Sequence, residues 1–400
     1  MKLLSNSKIK NSKVLMRVDF NVPIKNGNIT DATRILNALP SIQYLLKNNN
    51  AIVLISHLGR PKRKSKKESL FIVYKYLVKL LEFPVFFSEQ IIGNEVDKKK
   101  ENLKLGEVLL IENIRFENKE KLENNNFEKN IFFAKQLANQ MDFFVNEAFA
   151  CSHRESSSMT LLPMLFSKKK LAGFLLEKEI KYLNKAKHNS LKPFTAIIGG
   201  SKISTKIKLI KKLLIICDNI ILGGAMAHTF IVFLKGKVGS SLFEEDQLLE
   251  AANILKEAKK YNCKIHLPID CVSTQKISNN QITQIRKINK VPNNEMSVDI
   301  GPDSLNLFHK IIIESKTILW NGPMGIFELS AFSNGTRMIA NSISKATELG
   351  SYSIIGGGDS IAAINSFNEN FKFSYLSTGG GAMLEFFKKD NLPAISALAE

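Results

Sequence analysis

Four hundred residues, 44% hydrophobic and 23% charged, exceed one ordinary domain and carry enough apolar material for two cores, which excludes disordered and fibrous classes. The 56 Lys and Arg against 37 Asp and Glu leave a net charge of +19, yet only eight of these cations are Arg. The lysines are dispersed and not interleaved with aromatics, so they read as solvated faces, and no specific nucleic-acid partner is expected.

In chain order, residues 1–10 are polar and Lys-rich and lack the apolar core of a signal peptide. Short β-branched runs follow at 14–18, 51–55, 108–111 and 143–145, each trailed by a polar loop and an amphipathic stretch. That alternation belongs to parallel βαβ units. Residues 173–188, GFLLEKEIKYLNKAKH, place apolar side chains at 174, 175, 176, 180 and 183, a spacing that suits one long helix before Pro193. This helix is expected to bridge two α/β halves. The second half has runs at 195–198, 219–222, 317–319, 353–355 and 373–376. The most apolar window, 213–234, is broken by Asp218, Asn219, Gly223, Gly224 and His228. It reads as a strand, a Gly turn and a helix, so no membrane span is expected. Cys151, Cys217, Cys263 and Cys271 form no CxxC pair, which gives no zinc-type site and suits a reducing, cytoplasmic setting.

Ligands of open α/β sheets bind beyond the carboxyl ends of strands. In the first half those positions read DFN (19–21), SHLGRP (56–61), ENIRF (112–116) and NEAFACSHR (146–154). Arg60, Arg115 and Arg154 lie in them, and Arg34 sits in the TDATRI segment after the first. Arg makes bidentate, permanently charged contacts with carboxylate or phosphate. Four of eight scarce Arg at these ends point to a small, multiply anionic ligand.

The second half carries Gly loops instead: Gly199-Gly200 before Ser201-Lys202, Gly223-Gly224, Gly356 to Gly358 before Asp359-Ser360, and Gly379 to Gly381. Gly lets the backbone approach phosphates, and a helix starting just after the loop presents amides to them. Four such loops point to a nucleotide, although none fits the P-loop or the dinucleotide fingerprint. Lys202 and Lys206, four apart, are expected on one face of the helix opened by GGSKISTK. Asp359 suits either a Mg²⁺ bridging phosphates or a helix N-cap, and Glu328 either a ribose contact or a surface acid. His57 and His153 have no nucleophile and Asp arranged for triad hydrolysis.

Taken together, RVDFNVP (17–23), SHLGRP, ENIRF, GGSKISTKI (199–207), LGGAMAHTF (222–230), GSSLFEED (239–246), WNGPMGIFE (320–328), IIGGGDS (354–360) and STGGGAMLE (377–385) resemble the phosphoglycerate kinase family, in order and spacing, over almost the whole chain. The resemblance implies two Rossmann-like parallel-sheet α/β domains. Residues 1–172 would bind 3-phosphoglycerate, 173–188 would form the interdomain helix, 189–384 would bind Mg-ADP or Mg-ATP, and 385–400 would return to the first domain.

By position, the resemblance implies that Asp19, Phe20, Asn21, Arg34, His57, Leu58, Gly59, Arg60, Arg115 and Arg154 bind the glycerate substrate. Lys202, Lys206, Gly223, Glu328, Gly357, Gly358, Asp359 and Ser360 would bind nucleotide, with Asp359 on the metal. Arg34, Lys202, Gly380 and Gly381 would act in catalysis. The implied reaction is direct, reversible phosphoryl transfer between an acyl phosphate and ADP, by a cytoplasmic monomer whose domains close. The alternatives are a kinase for another acyl phosphate or, from the charge alone, an RNA-binding basic protein. Three departures stand out: Glu147 in place of Asp, Glu155-Ser156 where a second His is common, and no Trp near Met296.

Overall fold

Ala51–Ile55, Val108–Ile111 and Phe194–Ile198 are strands buried at every position. Such strands need cover on both faces, which helices crossing over a parallel sheet provide. In the computed structural model, which describes residues 1–122, 127–389 and 391–399, the chain divides into two units. One is Met1–Lys181 with residues 389–400, and the other is Tyr182–Lys388. The division falls inside the helix Phe174–His188 rather than at either end of it.

The first unit holds a seven-stranded sheet in the order Lys2–Leu3, Lys170–Ala172, Phe143–Asn146, Lys13–Arg17, Ala51–Ile55, Val108–Ile111, Val85–Ser88. Every neighbouring pair is parallel. Arg17 is level with Ile55 on one side and Asn146 on the other, so three strands end on one rim. Val14, Met16, Ile52 and Leu54 pack in one core with Ile35, Ile42 and Leu46 of the helix Thr33–Lys47. The chain's last residues belong here too: Leu392, Ala394 and Leu398 are buried, and Ala394 N–H donates to Ser152 O at 3.2 Å.

The second unit's parallel sheet runs Lys264–His266, Asn219–Leu222, Phe194–Ile198, Thr317–Asn321, Tyr352–Gly356, Tyr375–Ser377. Trp320, Phe308, Ile339 and Ile343 form its core with Ile355. The 213–234 window ends the helix Ile207–Ile216, crosses the strand Asn219–Leu222 and a Gly turn, and enters the helix Met226–Phe233. Among the described residues no helix is long and apolar enough to cross a membrane.

The 373–376 run pairs only from Tyr375. Phe371 and Phe373 turn into the core instead, and Lys372 N–H donates to Ser344 Oγ at 2.8 Å. Two edge strands, each held by a neighbour on one side only, are missing from the sequence runs: Lys264–His266, which reads KIH and is not apolar, and Val85–Ser88, which reads VFFS.

Candidate active site

In the first unit, Asp19 is the centre of a polar network at the rim. Its Oδ2 accepts from Arg34 Nη1 at 2.6 Å, and its Oδ1 accepts from Asn21 N–H at 3.1 Å. Arg34 reaches it from the first turn of the helix Thr33–Lys47. Asn21 Oδ1 in turn accepts from Gly59 N–H at 2.8 Å, and Arg115 Nη1 donates to Gly59 O at 2.5 Å. Gly59 has a φ of +62°, which Gly adopts without strain. Asn113 Nδ2 holds the same loop by donating to Leu58 O at 2.8 Å. The Phe20 ring is buried, and its N–H donates to Ser56 Oγ at 2.9 Å. Arg60 and Arg154 are exposed, and Arg154 Nε donates to His153 Nε2 at 3.2 Å.

Arg17 is a fifth Arg at this rim. Sequence reasoning passes over it because, as the last residue of a strand, it looks like part of the ladder. It is buried, with Nε donating to Ser158 Oγ at 3.0 Å, Nη1 to Val18 O, and Nη2 to His57 Nδ1 at 3.4 Å. That contact assigns the His57 proton to Nε2. Burial first, then the charges of Arg17, Arg115, Arg34 and Arg154, hold the His57 imidazole well below its usual pKa, so it is neutral. Asp19, His57 and Cys151 bring donor atoms within 4.8 Å of one another. The surrounding guanidinium groups suit an anion there, not a cation, and burial pushes the Cys151 thiol up to about 11.

In the second unit, Lys202, Lys206, Gly357, Gly358, Asp359, Ser360, Gly380 and Gly381 line one cavity of about 310 Å³. Lys202 and Lys206 do not share a helix face, contrary to the sequence expectation. The helix starts only at Ile207, with Lys206 as its N-cap residue. The turn before it is pinned at Ser204, whose N–H and Oγ donate to Glu244 at 3.0 and 2.5 Å. Gly357, not Asp359, caps the helix Gly358–Ser366, which leaves the Asp359 carboxylate exposed in its first turn. Ser360 Oγ accepts from Gly322 N–H at 2.7 Å.

Asn321 is the residue that the sequence reading leaves out, although it ends a strand inside the WNGP motif. Its Nδ2 donates to Gly356 O at 2.6 Å, and its Oδ1 accepts from Lys206 Nζ at 2.8 Å. Lys206 Nζ also donates to Gly199 O at 2.6 Å. Burial brings the Lys206 ammonium down to about 8, against the opposing pull of Asp359.

Glu328 and Asp359 both line a larger neighbouring cavity of about 540 Å³, which is walled by Ile277, Met296, Val298 and Met324. Gly223 lies against Met324, so a Cβ there would sit 2.3 Å from its sulfur. An apolar slot beside a Gly- and Lys-lined cavity matches a base joined to phosphates.

The profile of the family described as phosphoglycerate kinase matches residues 4–390. The phosphoglycerate kinase of Thermosipho africanus is 46% identical, over 98% of this chain and 96% of its own. That of Wolbachia pipientis from Culex pipiens is 44% identical, over 96% of each. Among solved structures, phosphoglycerate kinase from Coxiella burnetii superposes with a TM-score of 0.86 at 38% identity, covering 99% of this chain and 98% of the other. The Pyrococcus horikoshii enzyme gives 0.87 at 30% identity, covering 100% and 98%. Similarity of this extent, end to end in sequence and in fold, means that the chain belongs to the phosphoglycerate kinase family, the phosphotransferases of glycolysis.

Proposed function

We propose that the first unit binds 3-phosphoglycerate or 1,3-bisphosphoglycerate, that the second binds Mg-ADP or Mg-ATP, and that the phosphoryl group passes directly between them. The observation that carries this reading is the segregation of chemistry. A ring of Arg around neutral His57 occupies one unit, and a Gly- and Lys-lined cavity beside an apolar slot occupies the other.

In the first unit, Arg34, Arg60, Arg115 and Arg154 take the carboxylate and phosphate of the glycerate, and Asp19 and Asn21 take its hydroxyl end. His57 donates from Nε2–H without adding charge. In the second unit, Lys206 grips nucleotide phosphates, Gly223 backs the base slot, and Glu328 accepts from ribose hydroxyls.

Asp359 fits a magnesium ion. It is a single exposed carboxylate, free of capping duty, beside the cavity where phosphates would lie. Mg²⁺ takes one or two carboxylates together with phosphate oxygens and water. When bound with nucleotide it neutralises phosphate charge. In the transfer step, Arg34 from the first unit and Lys202 with the N–H groups of Gly380 and Gly381 from the second would neutralise the charge that spreads over the transferring group. No general base is needed, because the acceptor is a carboxylate or a nucleotide phosphate that already carries its charge.

Two ligands held on separate units must be brought together before they react, and closure excludes water that would hydrolyse the acyl phosphate. Both sites lie on one chain, which supports a monomer. Four free, buried cysteines support a reducing, cytoplasmic setting. A coupled assay with ATP, Mg²⁺ and 3-phosphoglycerate should show turnover, and small-angle scattering should show a smaller radius of gyration with both substrates than with either alone. Absence of turnover in both directions overturns the reading.

A further inference from the structure

The dispersed-lysine reading fails at one loop. Six of the eight residues 60–67, RPKRKSKK, are cationic. Lys62, Arg63, Lys64, Lys66 and Lys67 are exposed, and no ion pair among the described residues involves them. The nearest acid in sequence is turned away. Glu68 packs on Gly59, where a Cβ would lie 2.6 Å from its Oε1, and its Oε2 accepts from Ser65 Oγ at 3.3 Å.

Two further contacts bring this loop to an aromatic surface. Lys64 Nζ donates to the backbone oxygen of Glu89 at 3.3 Å, which lays the loop beside the end of the edge strand Val85–Ser88. Directly after the loop begins the helix Phe71–Leu80, where Phe71, Lys75 and Lys79 recur every fourth residue on one exposed stripe. Phe71 is 44% exposed. It stacks with Tyr74 at 5.5 Å and meets Phe87 of the edge strand edge-on at 5.5 Å, with Lys75 Nζ 4.9 Å from its ring centre.

We propose that this face binds single-stranded nucleic acid without sequence preference, the backbone running along 62–67 and the bases stacking at Phe71 and its aromatic neighbours. Unpaired cations track a phosphodiester chain, and an exposed ring accepts any base, because every base has a π-face. The aromatic group is what favours a nucleic acid over polyphosphate or an acidic protein, since neither of those offers a flat ring to stack. Apart from the adjoining Arg60, none of these residues belongs to the glycerate site, so the surface is independent of phosphoryl transfer.

The test is fluorescence anisotropy of labelled oligo-U and oligo-dT with the full chain. Saturable binding is expected, with a log–log salt slope of about −3 to −4 if five phosphates are neutralised at roughly 0.7 each. The ratio of the two affinities tells which strand is preferred. Substituting Lys62→Gln, Lys64→Gln and Lys67→Gln together should weaken binding at least about tenfold and flatten the slope by about 2. Phe71→Ala should weaken it at least about fivefold and leave the slope unchanged. Kinase turnover should stay at wild-type level in both variants. The proposal is overturned if neither oligomer binds saturably at low salt, or if the triple substitution leaves affinity intact. It is equally overturned if Phe71→Ala has no effect, an outcome that assigns the face to a plain polyanion such as polyphosphate.

Discussion

Ser41 Oγ donates to Glu147 Oε1 across 2.5 Å, joining the helix Thr33–Lys47 to the residue that follows the strand Phe143–Asn146. The same carboxylate accepts from the N–H groups of Leu175 and Leu176 at 3.0 and 3.3 Å, in the first turn of the helix Phe174–His188. Gly173 makes the approach possible, because a Cβ there would lie 2.0 Å from Glu147 Oε2. The Glu147 departure noted in the sequence is therefore a buried cap on the helix that crosses between the units.

Burial pushes the Glu147 carboxyl up to about 7, helped by the charge of Glu177 and opposed by its hydrogen bonds. A raised folded pKa means that the folded state keeps a proton that the unfolded state loses. The stability contributed by this group is therefore full below the unfolded value and lost as pH rises through about 7. The advantage of wild type over Glu147→Gln should shrink by up to about 3 kcal/mol between acid and neutral pH. Hydrogen exchange at first-unit amides across that range measures it, and a pH-independent difference would exclude the titration. Asp299 in the second unit, raised by burial to about 7, should add a slope of the same sign there.

The two substrate assignments should separate under mutation. Arg34→Ala removes the partner of Asp19 and should weaken 3-phosphoglycerate by about 1.5–3 kcal/mol while sparing nucleotide. Glu328→Ala should do the reverse. Calorimetry with each ligand alone decides, and a crossed pattern would sink the two-unit division of labour.

Asn321 and Lys206 should behave as a pair. Asn321→Ala removes an acceptor of the ammonium and the donor to Gly356 O, so it should raise the nucleotide KM together with Lys206→Ala. In a double-mutant cycle the two effects should fall short of additivity by about 0.5–3 kcal/mol. Strict additivity would mean that Asn321 contacts nucleotide without acting through the lysine.

Lys202 is exposed and lines the smaller cavity, and among the described residues no side chain holds it there. If it stabilises the transferring group, Lys202→Ala should lower kcat on the order of a hundredfold or more, with little change in nucleotide affinity. Stopped-flow turnover within a few-fold of wild type would reduce Lys202 to a surface lysine.

The strand ends were legible because parallel strands buried on both faces write themselves as apolar runs, and the loops after Ile55 and Ile111 follow directly from them. Arg17 was not legible, since a charged residue inside a strand run carries no sign of the pocket its neighbours build around it. The start of the helix at Ile207 depends on Glu244, 40 residues away from Ser204, and no local pattern encodes that capture. Asn321 was visible in its motif, but its grip on Lys206 exists only once two strands lie side by side.

Because residues 389–400 complete the first unit, that unit is discontinuous in sequence, whereas the second lies wholly within Tyr182–Lys388. Synthesis from the amino terminus therefore delivers every residue of the second unit while the first still lacks its closing segment. Ala394, which packs with Ala148, Cys151 and Met159, emerges only after the whole of the second unit. The later unit in the sequence is thus the earlier one able to finish folding on the ribosome, because the first unit must wait for residues that emerge after it.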